Sequence, residues 1–116
     1  KLTKVSIDEK AVSEAIYNLI ENAVKYSPNN SIIKIDAKIV ADDLIISVED
    51  EGKGIAENER DKIFQKFYRS NEKVKGFGMG LAIVRGIIEA HNGKIWVEKG
   101  NIGAKFVFQL PIKNND

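Results

Sequence analysis

The chain has 116 residues, 43% of them hydrophobic and 30% charged, enough for one core and too short for two domains. With 18 Lys and Arg against 17 Asp and Glu the net charge is +1, so no bulk field recruits nucleic acid or anionic lipid, and any bound anion must be held by a local site. The absence of cysteine excludes a disulfide framework and a thiolate metal site, and no apolar run is long enough to cross a bilayer or to serve as an export signal.

The chain opens at Lys1 and not Met, as expected of a piece excised from a longer protein, and residues 5–7 read as a short strand. Asp8 is a candidate N-cap for a long helix beginning near Glu9, in which Ala11, Val12, Ala15, Ile16, Leu19, Ile20 and Ala23 repeat at helical spacing. Ser27-Pro28-Asn29-Asn30 stops it. Strands are expected over 32–40 and 44–48, joined through Ala41-Asp42-Asp43 and followed by a polar, glycine-bearing loop. Residues 63–68 suggest a short helix, and 69–75 a charged connector without periodicity. A second helix over 81–91 follows, stopped by Asn92-Gly93. Strands over 95–98 and 105–110 close the chain around a turn at 100–103, before a frayed tail at 114–116. Strands grouped beside helices, with hairpins in place of regular crossovers, imply an α+β two-layer sandwich with helices on one face of a mixed, mainly antiparallel sheet.

Four segments carry chemistry. On the first helix Glu14, Asn18, Asn22 and Lys25 fall in one polar row beside the apolar stripe. Amide oxygens can ligand Mg²⁺ and a lysine can meet phosphate, whereas the plain alternative is a solvated helix face. Asn is a mediocre helix former, so two of them one turn apart suggest another use. Asp50-Glu51-Gly52-Lys53-Gly54 follows a strand, where an ionised Asp, which only accepts hydrogen bonds, suits the amino group of a purine; the alternative is an Asx-capped turn. Phe64, Phe67 and Tyr68 at helical spacing read as core or lid packing, and Arg69 after them has the planar fork that fits a terminal phosphate. Gly76-Phe77-Gly78-Met79-Gly80-Leu81 places three glycines on alternate positions ahead of a helix, an arrangement that brings backbone and helix N-terminus close to a phosphate. His91, the only histidine, reads as a helix-terminal capping group, and Trp96 as core.

In this order and spacing the segments resemble the catalytic ATP-binding domain of sensor histidine kinases, over nearly the whole chain. Asn18-Leu19-Ile20-Glu21-Asn22-Ala23-Val24-Lys25-Tyr26 resembles the family's N box, and Asp50-Glu51-Gly52-Lys53-Gly54-Ile55 its G1 box. Ile63-Phe64-Gln65-Lys66-Phe67-Tyr68-Arg69 resembles the F box, and Gly76 through Leu81 the G2 box. A Walker A sequence is absent.

The resemblance implies a Bergerat-type fold, ATP and Mg²⁺ as cofactors, and protein-histidine kinase activity in two-component signal transduction. Asn22 would ligand Mg²⁺, Asn18 would support the phosphates or metal, and Lys25 would contact phosphate. Tyr26 would pack near the adenine, whose amino group Asp50 would receive, with Gly52, Gly54 and Ile55 in that pocket. Arg69 would lie near the γ-phosphate, with Gly76, Gly78, Gly80 and Leu81 closing the nucleotide site at the end of a mobile lid. The implied partners are a phosphoacceptor-histidine dimerisation domain of the same full-length protein and a response regulator, with no nucleic acid or direct membrane contact, in the cytoplasm.

Three departures stand against the pattern. Ala104 follows the last glycine of Gly100-Asn101-Ile102-Gly103 where relatives often carry a hydroxyl. The helix and strand that usually precede residue 5 are missing, which implies an exposed sheet edge or a minimal core. No phosphoacceptor histidine is present, since His91 belongs to another motif, so the chain is not expected to autophosphorylate alone.

Competing readings are an ATPase of the gyrase, mismatch-repair and heat-shock chaperone type, an anti-sigma serine kinase, and a non-catalytic nucleotide-dependent interaction module. The ATPases place a Glu general base four residues before the metal-binding Asn, where this chain has Asn18, and an amide cannot take a proton from water.

Overall fold

The computed structural model describes residues 8–65 and 80–112. The strand expected over 5–7, residues 66–79 with Phe67, Tyr68, Arg69, Gly76 and Gly78, and the tail from 113 onward lie outside them.

Helix α1 (Glu9–Tyr26) starts where the sequence implies. The Asp8 carboxylate accepts the Ala11 amide at 3.2 Å, and Glu9 and Lys25 complement the helix dipole at opposite ends. It ends at Ser27, extended at φ −99° and ψ 150°, because Pro28 disfavours helical backbone in the residue before it. Val12, Ala15, Leu19 and Ala23 form its buried stripe.

Strands β1 (Lys34–Val40), β2 (Asp43–Glu49), β3 (Lys94–Lys99) and β4 (Ala104–Pro111) form a sheet of order β1-β2-β4-β3. Every described pairing is antiparallel. Period-2 alternation turns Ile46, Val48, Phe106, Phe108 and Leu110 toward the helices, where Phe64 meets the Phe106 ring edge-on at a centroid distance of 6.1 Å. On the other face Lys34, Glu49, Lys105 and Glu98 stand in one row of alternating charge across all four strands, a favourable cross-strand order. Strand β1, at the edge of the described sheet, is exposed throughout, Ile35 and Ile39 included.

Helix α2 (Gly80–Ala90) lies beside α1 and buries Val84 and Ile88. Its end is a Schellman motif: Gly93 N–H donates to Ile88 O at 2.9 Å, Asn92 N–H to Glu89 O at 3.0 Å, and Asn92 takes φ 62°. A side chain at Gly93 would collide with the Gln109 carbonyl of β4, so the stop also requires glycine for close approach.

Two expectations are corrected. In place of a helix from residue 63, single 3₁₀ turns form at Glu57–Glu59 and Lys62–Phe64, and Gln65 is already extended at ψ 147°. Trp96 is not core: β3 turns Ile95 and Val97 inward, so Trp96 faces outward, half-buried, with its indole N–H donating to Glu98 Oε2 at 2.8 Å.

Candidate nucleotide site

The most tightly fastened group of the site is Asp50, only 4% exposed at the end of β2. Its Oδ1 accepts two backbone amides, Gly52 N–H at 2.9 Å and Ala104 N–H at 3.1 Å. Its own N–H donates to the Ala104 carbonyl at 2.9 Å. Among the described residues no other group bonds the carboxylate and no buried polar side-chain atom is left unpaired, so Oδ2 keeps its acceptor capacity.

Glycine is required around this carboxylate by approach. A Cβ on Gly103 would collide with Asp50 Oδ1, and one on Gly52 with the Tyr26 carbonyl at the end of α1. Gly54 takes φ +80° beside Gly103. Loop 50–54 is thereby clamped between the end of α1 and the 100–103 turn, with Ile55 packed against the core.

The polar row of α1 forms a second wall. Asn18 is half-buried; its Nδ2 donates to Glu14 O at 2.9 Å, and its Oδ1 lies 3.9 Å from where a Gly80 Cβ would stand. Asn18 therefore sits at the N-terminus of α2, whose first-turn N–H groups and dipole favour an anion. Asn22, one turn on and also half-buried, has an amide that no described residue bonds. Lys25 is exposed, its Nζ 5.6 Å from the centroid of the Tyr26 ring, and Leu81 packs against the core.

The structure thus brings Asn18 beside Gly80 at the start of α2, the Tyr26 carbonyl beside Gly52, and Asp50, Gly52 and Gly54 together at the 100–103 turn, with Asn22 and Lys25 on α1 between Asn18 and Tyr26. Arg69, Gly76 and Gly78 lie outside the described residues.

Several supporting contacts have no signature in the sequence. Ala104 loses a side-chain bond relative to a hydroxyl, yet its main chain holds Asp50 from both directions. Ser27 Oγ accepts the Glu51 N–H at 3.4 Å, and Glu51 Oε1 accepts the Ile32 N–H at 3.2 Å, which tie the loop to the chain leaving α1. His91 has the capping role read from its position. Nδ1 lies 2.8 Å from Ile87 O and Nε2 accepts the Asp8 N–H at 3.1 Å, so the ring ties the end of α2 to the start of α1.

The sequence profile of histidine kinase-, DNA gyrase B- and HSP90-like ATPases matches residues 7–114. The chain belongs to this family. Within the family it is similar to sensor kinases. It is 41% identical over 112 residues to sensor protein KdpD of Clostridium acetobutylicum, covering 92% of this chain and 12% of that protein. It is 38% identical over 116 residues to sensor histidine kinase WalK of Bacillus subtilis, covering 94% and 19% respectively. The chain thus spans a small part of the curated relatives it matches. A mycobacterial sensor histidine kinase, MprB, superposes with a TM-score of 0.85 at 27% identity, covering 97% of this chain and 79% of that one. Full-length ShkA in complex with AMPPNP gives 0.83 at 30% identity, covering 98% and 24%. The α+β sandwich is therefore that of histidine kinase ATP-binding domains. No described helix is long and apolar enough to cross a membrane.

Proposed function

We propose that this chain is the single ATP-binding catalytic domain of a longer sensor kinase. It binds ATP with Mg²⁺ and donates the γ-phosphoryl group to a histidine on a separate phosphoacceptor dimerisation domain. A response regulator acts downstream, and the domain works in the cytoplasm. The observation that carries the reading is Asp50: a buried carboxylate with one oxygen immobilised by two amides and the other free to accept an adenine amino group.

The neighbouring groups fit the rest of the nucleotide. In this reading Tyr26, Gly52, Gly54 and Ile55 would border the base, and Asn18, Lys25 and the N-terminus of α2 at Gly80 and Leu81 would meet the phosphates; the approach of Gly52 to the Tyr26 carbonyl and of Gly80 to Asn18 supports it. The unbonded amide of Asn22 fits Mg²⁺, which takes few protein ligands and fills its shell with phosphate oxygens and water. Among the described residues no cluster of three His, Cys, Asp or Glu could hold a metal without the nucleotide. When bound, the ion neutralises phosphate charge; Arg69, Gly76 and Gly78 complete the set in this reading. Hydrolysis as the main activity is disfavoured, because Asn18 is an amide already committed to Glu14 O.

The reading is tested by incubating the chain and ATP labelled at the γ-phosphate with a separately produced histidine-bearing dimerisation domain. Acid-labile label on the added domain, and none on this chain alone, is the expected result. Release of inorganic phosphate with no transfer would contradict it.

A further inference from the structure

The carboxylates that flank Asp50 both accept backbone amides. Glu49 Oε2 accepts the Asn101 N–H at 2.8 Å, across 52 residues of sequence. The same oxygen lies 2.9 Å from where a Gly100 Cβ would stand, so the Glu49 side chain rests directly on the 100–103 turn. That turn is closed by Gly100 N–H donating to Gly103 O at 2.8 Å, and it delivers the Ala104 amide to Asp50 Oδ1. A continuous run of bonds therefore leads from Glu49 through the turn to the atom that fixes the Asp50 carboxylate.

We propose that Glu49 is a positioning residue for base recognition: by clasping the Asn101 amide it sets the turn that aims Asp50. This inference rests on the adenine-pocket reading above. Glu49 stands on the outer sheet face with Lys34 and Lys105 as its cross-strand neighbours, so it touches no nucleotide and acts only through the turn.

The test uses the full chain as Glu49→Ala, Glu49→Gln and Gly100→Ala, with Asp50→Asn beside them. Two quantities are read: the exchange rate of the Ala104 amide hydrogen in the ligand-free protein by NMR, and calorimetric affinity for ADP, GDP and inorganic triphosphate. Glu49→Ala is expected to speed Ala104 exchange and weaken ADP about tenfold, the effect of one lost charge-assisted hydrogen bond, with inorganic triphosphate unchanged. Glu49→Gln keeps a neutral oxygen for Asn101 and recovers part of both. Gly100→Ala, whose methyl displaces the Glu49 carboxylate, reproduces Glu49→Ala with Glu49 still present and carries the test should Glu49→Ala fail to fold. Unchanged Ala104 exchange and ADP affinity in a folded Glu49→Ala or Gly100→Ala protein would overturn the proposal, as would a Glu49→Gln protein no better than Glu49→Ala. If Asp50→Asn leaves ADP binding intact, the pocket reading itself fails; if Asp50→Asn loses ADP and Glu49→Ala does not, only the clasp fails.

Discussion

The two ends of the site are built differently. At the Asp50 end, main-chain amides from two separate segments converge on one buried carboxylate, and glycines at 52 and 103 let the strands of chain approach to the limit of atomic size. At the α1 end, Asn18, Asn22 and Lys25 are side chains on the half-buried and exposed flank of a helix, and the Asn22 side-chain amide bonds no described residue. Recognition of a base edge needs a fixed acceptor, because a hydrogen bond weakens steeply with misalignment. Charge neutralisation along a phosphate chain tolerates adjustable side chains. The comparison teaches that selectivity should be sensitive to backbone changes at one end, and metal-dependent affinity to side-chain deletions at the other.

The largest effect is expected at Gly103. Gly103→Ala puts a methyl into Asp50 Oδ1 and the Gly52 N–H, which costs about 2 to 4 kcal/mol of overpacking and lost hydrogen bonding, measurable by urea denaturation. A variant as stable as the parent would mean that the Asp50 end is not tightly fastened. Asp50→Asn should keep the fold, with the amide oxygen taking over the two backbone bonds. Its NH₂ group then faces the adenine amino group, and ATP-analogue affinity should drop about 10- to 100-fold with guanine nucleotides little changed. An equal loss for both bases would remove the assigned contact.

At the other end, Asn22→Ala should leave stability within about 0.5 kcal/mol, since the amide makes no bond to a described residue. The gain in nucleotide affinity on adding Mg²⁺ should disappear while adenosine binding stays, and a retained Mg²⁺ effect would refute the metal role. The smallest effect on the site is expected from His91→Ala. Loss of the bonds to Asp8 N–H and Ile87 O should cost about 1 to 2 kcal/mol in thermal or urea unfolding, with base selectivity unaltered. Altered selectivity there would show that helix packing, and not the local fastening of Asp50, governs the pocket.

What the sequence makes legible follows from the range of the interactions. The start of α1 at Asp8, its end before Pro28 and the stop at Asn92-Gly93 are set by neighbours within a few residues, and all three were readable in advance. The period-2 pattern of β3 also contained the outward placement of Trp96, which hydrophobicity alone assigned to the core. The polar row of α1 was visible for the same reason, as a helical period. By contrast, Asp50 is held by an amide 54 residues away, and a backbone N–H has no letter in the sequence. The same holds for Glu49 and Asn101, and for the approach of Gly52 to the Tyr26 carbonyl. The 3₁₀ turn at Lys62–Phe64 carried apolar spacing too short to distinguish it from a helix.

The measurement that bears most directly on the central claim is calorimetric titration of the chain with non-hydrolysable analogues of ATP and GTP, each with and without Mg²⁺. Binding of the adenine analogue, strengthened by Mg²⁺ and at least about tenfold tighter than the guanine analogue, is the predicted result. Equal affinity for both bases, or no binding by a chain whose thermal melt is cooperative, would contradict the account of Asp50 as the acceptor that selects adenine.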